Sequence, residues 1–238
     1  MHFKLSIYFV SILLLTFPPS HSATIQQGDL LISEVMANPF AVSDVNGEWF
    51  ELFNTSANTI DLNGFIISDN NSNSHEINAS RPLTIASGEY FVLGRNSDSA
   101  TNGGVNLDYA YTGFSLGNTS DQIIVSLSET EITRIEYNGL PFGSAGISAE
   151  LIAQVSQPDA SHYQLTENFI YGAGDMGTPG EQGSFQLRSA SPVPIPGAFW
   201  LFVSAIFLLS RNISVHVNSY LTSTIFLFHK IFKPAIEN

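Results

Sequence analysis

The chain has no cysteine among its 238 residues, so disulfide bonds contribute nothing to its stability. It is also poor in cations: residues 23–191 contain four arginines and no lysine against 20 aspartates and glutamates, a formal charge of −16. A field of that sign repels phosphate backbones, so we predict no binding to nucleic acid. Divalent cations and cationic surfaces are its natural counterparts. The fold must rest on a hydrophobic core, and the length suits one domain.

Residue constellations typical of enzymes are lacking as well. Between the two ends of the chain the histidines are His75 and His162, and neither has a second histidine or a cysteine at a metal-binding spacing. There is no Gly-x-Ser-x-Gly nucleophile elbow. The stretch "GDMGTPG" (174–180) has glycines but not the lysine of a phosphate-binding loop, so we interpret it as a turn that closes the domain. The sequence therefore predicts a protein that is not an enzyme.

Both ends of the chain contain apolar runs. At the start, Lys4 precedes an apolar run over residues 5–17, and small residues around Ser22 are typical of a signal peptide cleaved before Ala23. At the other end, a proline-rich linker (189–198) leads to a hydrophobic segment (199–211), which we predict to be a helix that meets the membrane. Residues 212–238 form an extension beyond it. The sequence thus predicts an exported domain over residues 23–188.

The body between these ends is a series of short apolar runs separated by Asn, Gly, Ser and Asp. They are rich in β-branched and aromatic residues and have the length of strands. No sustained helical period occurs in the body, so we predict an all-β fold, an antiparallel sandwich or barrel. The predicted strands cover residues 30–36, 48–53, 64–68, 90–93, 123–127 and 132–137.

Two glutamates in the stretch "GEWFELFN" (47–54) are candidates for chemistry. Side chains alternate along a strand, so Glu48 and Glu51 point to opposite faces and cannot act as a catalytic pair. Glu34, from the preceding strand, can join one of them. We predict that Glu34, Glu51 and Asp175 are the best candidate ligands for Ca²⁺, which prefers many oxygen ligands, although no EF-hand spacing is present. The interpretation we prefer is that the glutamates cap strand ends or pair with an arginine at the rim of the sandwich.

Six stretches of the body, in this order, resemble the lamin tail domain. The resemblance implies an immunoglobulin-like antiparallel β-sandwich, which in bacterial secreted and surface proteins usually serves as an interaction or scaffold module. No enzyme domain of the kind that sometimes accompanies it is present in this chain. The stretches are "LLISEVMANP" (30–39), "GEWFELFNTS" (47–56), "IDLNGFIISD" (60–69), "LTIASGEYFVLG" (83–94), "LGNTSDQIIV" (116–125) and "GDMGTPG" (174–180).

The tail "PVPIPGAFWLFVSAIFLLSR" (192–211) resembles the PEP-CTERM class of sorting signals, in the subtype with Val-Pro-x-Pro before a span containing Trp-Leu-Phe. The resemblance implies that Val193, Pro194 and Pro196 are recognised by an exosortase-type sorting enzyme of Gram-negative bacteria, and that the span lies transiently in the inner membrane. That family ends in a basic cluster directly after the span. Here Arg211 alone precedes 27 further residues.

Together these observations predict an exported, non-catalytic surface or extracellular-matrix interaction module of the cell envelope, with an unknown extracellular protein or polysaccharide as partner. A polysaccharide-binding module is the first alternative, because the alternation in "DYAYTGF" (108–114) places Tyr109 and Tyr111 on one face and aromatic rings stack on sugars. The second is a metal-dependent hydrolase that uses Glu34, Glu48 or Glu51. We expect no cofactor other than Ca²⁺.

Overall fold

The computed structural model describes residues 24–70 and 73–191. These residues belong to one compact unit that ends at Ser191. The predicted signal peptide with its cleavage site between Ser22 and Ala23, the sorting motif of Val193, Pro194 and Pro196, the hydrophobic segment and the extension lie outside the described residues. Within the described ranges, no helix is long and apolar enough to cross a membrane.

The regular secondary structure of the described residues is almost entirely strand, with one short α-helix and one 3-10 turn (Ala160–His162). The elements are β1 (Leu30–Met36), α1 (Asp44–Gly47), β2 (Trp49–Asn54), β3 (Ile60–Asp61), β4 (Phe65–Ser68), β5 (Ser74–Glu76), β6 (Thr84–Ile85), β7 (Tyr90–Gly94), β8 (Tyr109–Ala110), β9 (Ser120–Leu127), β10 (Thr130–Asn138), β11 (Ala149–Leu151), β12 (Tyr163–Leu165), β13 (Ile170–Tyr171) and β14 (Asp175–Met176).

Two larger sheets organise these strands. One sheet has six strands in the order β12-β11-β1-β2-β7-β8, and the other has four in the order β10-β9-β4-β5. All neighbours are antiparallel except β7 and β8. Buried side chains of both sheets form one core, with Ile32 and Leu52 from the first and Ile67 and Val125 from the second. The all-β antiparallel sandwich predicted from the sequence is confirmed.

The six predicted strands are all present as β1, β2, β4, β7, β9 and β10. Residues 141–182, which lie outside the six predicted strands, contain four further strands. One of them, β11, is not peripheral, because it pairs with β1 inside the six-stranded sheet. With three residues and a glutamate in its centre, β11 has too little apolar alternation to be recognised as a strand.

Alternating side chains of β2 enter two different clusters. Phe50 and Leu52 belong to the core between the sheets. Trp49 is buried on the opposite face of its sheet, in a second cluster with Met36, Val92 and Val105. The strand predicted over residues 48–53 is therefore buried on both faces, and Trp49 covers the outer face of its sheet rather than lying between the two sheets.

The pairing of β1 with β2 distinguishes two ends of the sandwich. Met36 lies opposite Trp49 at one end, which we call the tip, and Leu30 lies opposite Asn54 at the other, which we call the base. The last described residues lie at the base, because the Ala190 amide donates to the Thr55 carbonyl over 2.6 Å.

Candidate functional site: a row of buried glutamates

Three glutamates lie side by side across three neighbouring strands. In β1, Glu34 is paired in register with Glu51 of β2 on one side and with Glu150 of β11 on the other. Residues directly opposite each other in a sheet share a face, so the three carboxyl groups form a line across the outer face. Each residue is at most 2% exposed. We call these three residues the glutamate row.

A segment near the end of the domain covers the row. Residues 177–184, which we call the strap, donate one backbone N–H to each glutamate. The Thr178 amide lies 2.9 Å from Oε1 of Glu34, and the Gly180 amide lies 2.7 Å from Oε2 of Glu51. Ser184 donates its amide to Oε2 of Glu150 over 2.9 Å. The carboxyl groups therefore bind the strap to three strands at once.

Hydroxyl groups complete the surroundings of Glu34. Thr178 donates its hydroxyl to Oε2 over 2.6 Å, while the hydroxyls of Ser148 and Thr166 donate to Oε1. A carboxylate is only an acceptor, and this one receives four donors. Buried polar groups cost free energy unless they are hydrogen-bonded, so this set of donors is what allows a carboxyl group to remain inside.

The other two glutamates are satisfied in the same manner. Glu51 accepts the Ser33 hydroxyl over 2.6 Å. Glu150 accepts the Ser184 hydroxyl and, over 2.9 Å, the side-chain amide of Gln164. Within the described ranges, no arginine or histidine forms an ion pair with any member of the row.

The local sequence of the strap explains why it can lie so close to the carboxyl groups. Pro179 and Gly180 occupy the centre of a turn closed by the Glu181 amide on the Thr178 carbonyl, 2.9 Å, and Gly180 has φ +84°. Proline followed by a residue with positive φ is typical of a type II turn. At Gly183, a Cβ atom would lie 2.5 Å from Oε2 of Glu150. The interpretation of this region as a turn that closes the domain is confirmed.

Burial shifts the proton affinity of the row. It raises the pKa of Glu34 above its ordinary value, and the neighbouring charge of Glu150 adds to this effect. Burial also raises the pKa of Glu51 well above its ordinary value, with the charge of Glu34 as the second cause. The hydrogen bonds from Ser148, Thr178, Ser33 and Gly180 oppose these shifts. Glu34 and Glu51 therefore favour uptake of protons at a pH at which exposed glutamates are ionised.

The predicted calcium ligands occupy two places. Glu34 and Glu51 are neighbours in the row, as their strands suggested. Asp175 lies in β14, where its carboxylate accepts the amides of Phe40 and Ala41 over 3.2 and 3.0 Å. In residues 24–70 and 73–191, no group of three or more His, Asp or Glu side chains is arranged to hold a metal ion.

Glu48 lies apart from the row and pairs with an arginine, as the preferred interpretation of the glutamates predicted. Its Oε2 accepts the guanidinium of Arg95 over 3.2 Å and the amide of Leu116 over 3.0 Å. Burial raises the pKa of Glu48 to about 6, although both donors act against the shift. This glutamate is thus paired with an arginine at the end of its strand, as one reading of the sequence predicted.

The two tyrosines proposed to stack on sugars have different environments. Tyr111 is 1% exposed and packs its ring 5.9 Å from that of Phe50, so it is a core residue. Tyr109 is half-buried, and its hydroxyl lies 2.8 Å from Nε2 of His75. A platform of two exposed rings is therefore wrong for this pair, because β8 ends at Ala110 and the chain turns Tyr111 inward.

Two features were missed at the level of the sequence. The first is Glu150, the third member of the row, for which the three-residue strand carries no signal. The second is a group of exposed apolar side chains at the tip. The surface-exposed members are Phe40 (81%), Leu140 (74%), Ile170 (71%), Val45 and Phe169.

The structure thus belongs to the class of all-β antiparallel sandwiches, with buried polar groups that bind one of its own segments. Residues 23–139 match the family model of the lamin tail domain, and this part of the chain is similar to that family. The matched stretch includes β1 to β10, and with them Glu34 and Glu51, but not Glu150 or the strap. No curated protein was found to match the chain. The lamin tail domain is a non-catalytic immunoglobulin-like family.

Proposed function

We propose that this chain is an exported, non-catalytic interaction module of the cell envelope or the extracellular matrix. The observation that supports it best is the contrast between the two candidate surfaces. The carboxyl groups of the glutamate row are occupied by donors of the strap, whereas large apolar side chains of the tip are open to solvent. Large exposed apolar groups are typical of sites that contact another molecule.

The two apolar ends of the sequence supply the route in this proposal. The signal peptide directs export, and the motif of Val193, Pro194 and Pro196 directs recognition by an exosortase-type enzyme while the following span holds the chain in the inner membrane. The domain would then be released to, or held at, the outer side of the cell.

Cell fractionation tests this route. The full chain is expressed in a Gram-negative host with and without an exosortase, and its location is followed by immunoblotting. We expect it in the envelope or the medium, and we expect Pro194→Ala combined with Pro196→Ala to change its processing. Pro192→Ala, outside the motif, is the matched control. Recovery of the parent chain from the cytoplasm would contradict the proposal.

The absence of catalysis has its own test, because the hydrolase alternative depends on the glutamates. The full chain is incubated with bis(p-nitrophenyl) phosphate and divalent metals, beside Glu51→Gln. We expect no release of nitrophenol above the blank from either protein. Hydrolysis by the parent that is lost in Glu51→Gln would make the glutamate row a catalytic site.

A further inference from the structure

We propose that the tip binds a basic amphipathic segment of a partner protein, one that presents apolar side chains beside lysines or arginines. This inference rests on the proposed interaction function and specifies its surface and the chemistry of its partner. Three properties of the tip lead to it: its exposed apolar side chains, its ordered loops and its charge.

The exposed apolar side chains concentrate at one end of the sandwich. In the described part of the chain, eight large apolar residues are exposed, and five of them lie in loops, in the short helix α1 or in a short strand at the tip. Phe40 and Val45 lie in the connection between β1 and β2, and Leu140 follows β10. Phe169 and Ile170 lie at the start of the ribbon of β13 and β14. Aromatic and aliphatic side chains of this kind supply most of the gain when a partner excludes water.

Hydrogen bonds hold the tip loops together before any partner arrives. The side-chain amide of Asn38 donates to the Gly143 carbonyl over 3.0 Å, and that of Asn118 donates to Oδ2 of Asp44 over 3.0 Å. Asp175 connects β14 to the loop that carries Phe40. Loops already held in one arrangement lose little conformational entropy on binding, so the apolar side chains are displayed at a low entropic cost.

The charge of the tip selects among occupants. Asp44, Asp98 and Glu167 lie in the tip loops, and the last two are exposed. The cation in their neighbourhood, Arg95, is paired with the buried Glu48 over 3.2 Å. The tip carries carboxylates, and its arginine is neutralised, so it repels an anionic bilayer and a second copy of this acidic chain. A basic amphipathic partner gains twice, because its apolar side chains bury those of the tip and its cations are attracted to the carboxylates.

The last described residues leave the tip uncovered. The last described residues are bound at the base, where Ala190 contacts Thr55 and the Arg188 amide donates to Gln154 over 2.9 Å. The last described residues therefore lie at the end of the sandwich opposite to Phe40 and Trp49 and do not cover the tip.

Two synthetic helical peptides with the same leucine positions test the inference, one with lysine and one with glutamate at every polar position. Binding to the immobilised full chain is measured by biosensor. We expect the lysine peptide to bind and the glutamate peptide not to bind. Phe40→Ser combined with Ile170→Ser should weaken binding by about tenfold or more. Val155→Ser, which removes an exposed apolar group at the base, should leave it unchanged.

A second pair of variants tests the charge. Asp98→Asn combined with Glu167→Gln should weaken binding of the lysine peptide and reduce its dependence on salt. The control is Glu76→Gln combined with Glu89→Gln, two acidic residues outside the tip loops. Equal binding of both peptides, or equal losses in the tip and control variants, would overturn the inference.

Two further measurements ask whether the tip instead binds a second copy of this chain or a lipid surface. Concentration-dependent dimerisation that Phe40→Ser abolishes would assign the tip to a second copy, and sedimentation with phosphatidylcholine vesicles that the same variant abolishes would assign it to a lipid surface. Either result would overturn the basic partner. The fractionation experiment does not depend on the peptide, dimerisation or vesicle measurements. A failure of the proposed role of the tip can therefore be distinguished from a failure of the proposed export.

Discussion

Glu34 and Trp49 show how single residues are accommodated on the outer face of the six-stranded sheet. Glu34 is buried without a cation and depends on four hydrogen-bond donors. Trp49 is buried with a donor of its own, since its Nε1 donates to the hydroxyl of Tyr171 over 3.1 Å and the two rings meet edge to face. Both residues belong to the layer between the sheet and the chain segments that cover it.

Two replacements of Glu34 separate the contribution of its shape and hydrogen bonds to stability from the contribution of its charge. In Glu34→Gln, Oε1 can keep its three donors and the new amide can donate to the Thr178 hydroxyl, so we expect unfolding free energy at neutral pH within about 1 kcal/mol of the parent, or higher. Glu34→Ala leaves buried donors of the strap without an acceptor and creates a cavity, at a cost of about 2–4 kcal/mol. Urea unfolding of both variants measures the difference. Equal losses would contradict this account of the row.

Trp49 can be tested by truncation. Trp49→Ala should lower the free energy of unfolding by about 3–5 kcal/mol, because it empties the second cluster and leaves Tyr171 without its aromatic neighbour. Ile66→Ala, at a partly exposed position of β4, is a control for which we expect a much smaller loss. Thermal melting of Trp49→Ala within error of the parent would show that the cluster is not packed as described.

Among the elements, the strap is held differently from the strands. It has no ladder partner of its own within the described residues, and its backbone amides at Thr178, Gly180 and Ser184 end on side chains instead. The strap is therefore stable only if it lies close enough to the sheet for its amides to reach the glutamates. That short distance requires glycine at position 183, where a Cβ atom would lie 2.5 Å from Oε2 of Glu150.

Gly183→Ala tests this close approach. The added Cβ would lie 2.5 Å from Oε2 of Glu150, so the strap or the glutamate must move, at a cost of about 1–3 kcal/mol. Hydrogen exchange of the Gly180 and Ser184 amides should become faster, while that of β9 amides should change little. The exposed neighbour Gln182→Ala is the control. Unchanged exchange in the strap would refute its dependence on the carboxyl contacts.

The whole molecule should respond to pH through its buried carboxyl groups. Glu34, Glu48 and Glu51 all have a pKa raised by burial, so the folded protein binds protons more tightly than the unfolded chain. Their contribution to stability is complete below the ordinary value of 4.5 and is lost as the pH rises through their folded values, which for Glu48 is about 6. We expect the melting temperature to fall between pH 4.5 and 7.

Matched variants separate the row from the general charge of the protein. Glu34→Gln and Glu51→Gln should flatten the decline in melting temperature, whereas Glu76→Gln, at an exposed position of β5, should leave its slope nearly unchanged. A melting temperature that rises over the same range in the parent would mean that the hydrogen bonds to the row outweigh its burial.

Calcium provides a second test at this scale. Each carboxyl group of the row already accepts donors from the strap, and Asp175 accepts two tip amides, so an ion would have to displace these contacts. We expect the melting temperature in millimolar Ca²⁺ to match that in EDTA. A rise of several degrees would reveal preferential binding to the folded state and restore Glu34, Glu51 and Asp175 as ligands.

The sequence alone was sufficient for the features that are encoded locally. Short apolar runs rich in β-branched and aromatic residues identify the six longer strands, because each of these strands buries its own side chains. The acid excess is a property of composition. The tertiary structure decided what these strands bring together. Glu150 joins Glu34 only through the pairing of β11 with β1, between segments more than a hundred residues apart, and a three-residue strand carries too little periodicity to predict that register. The outer position of Trp49 and the assembly of the tip depend on long-range contacts in the same way.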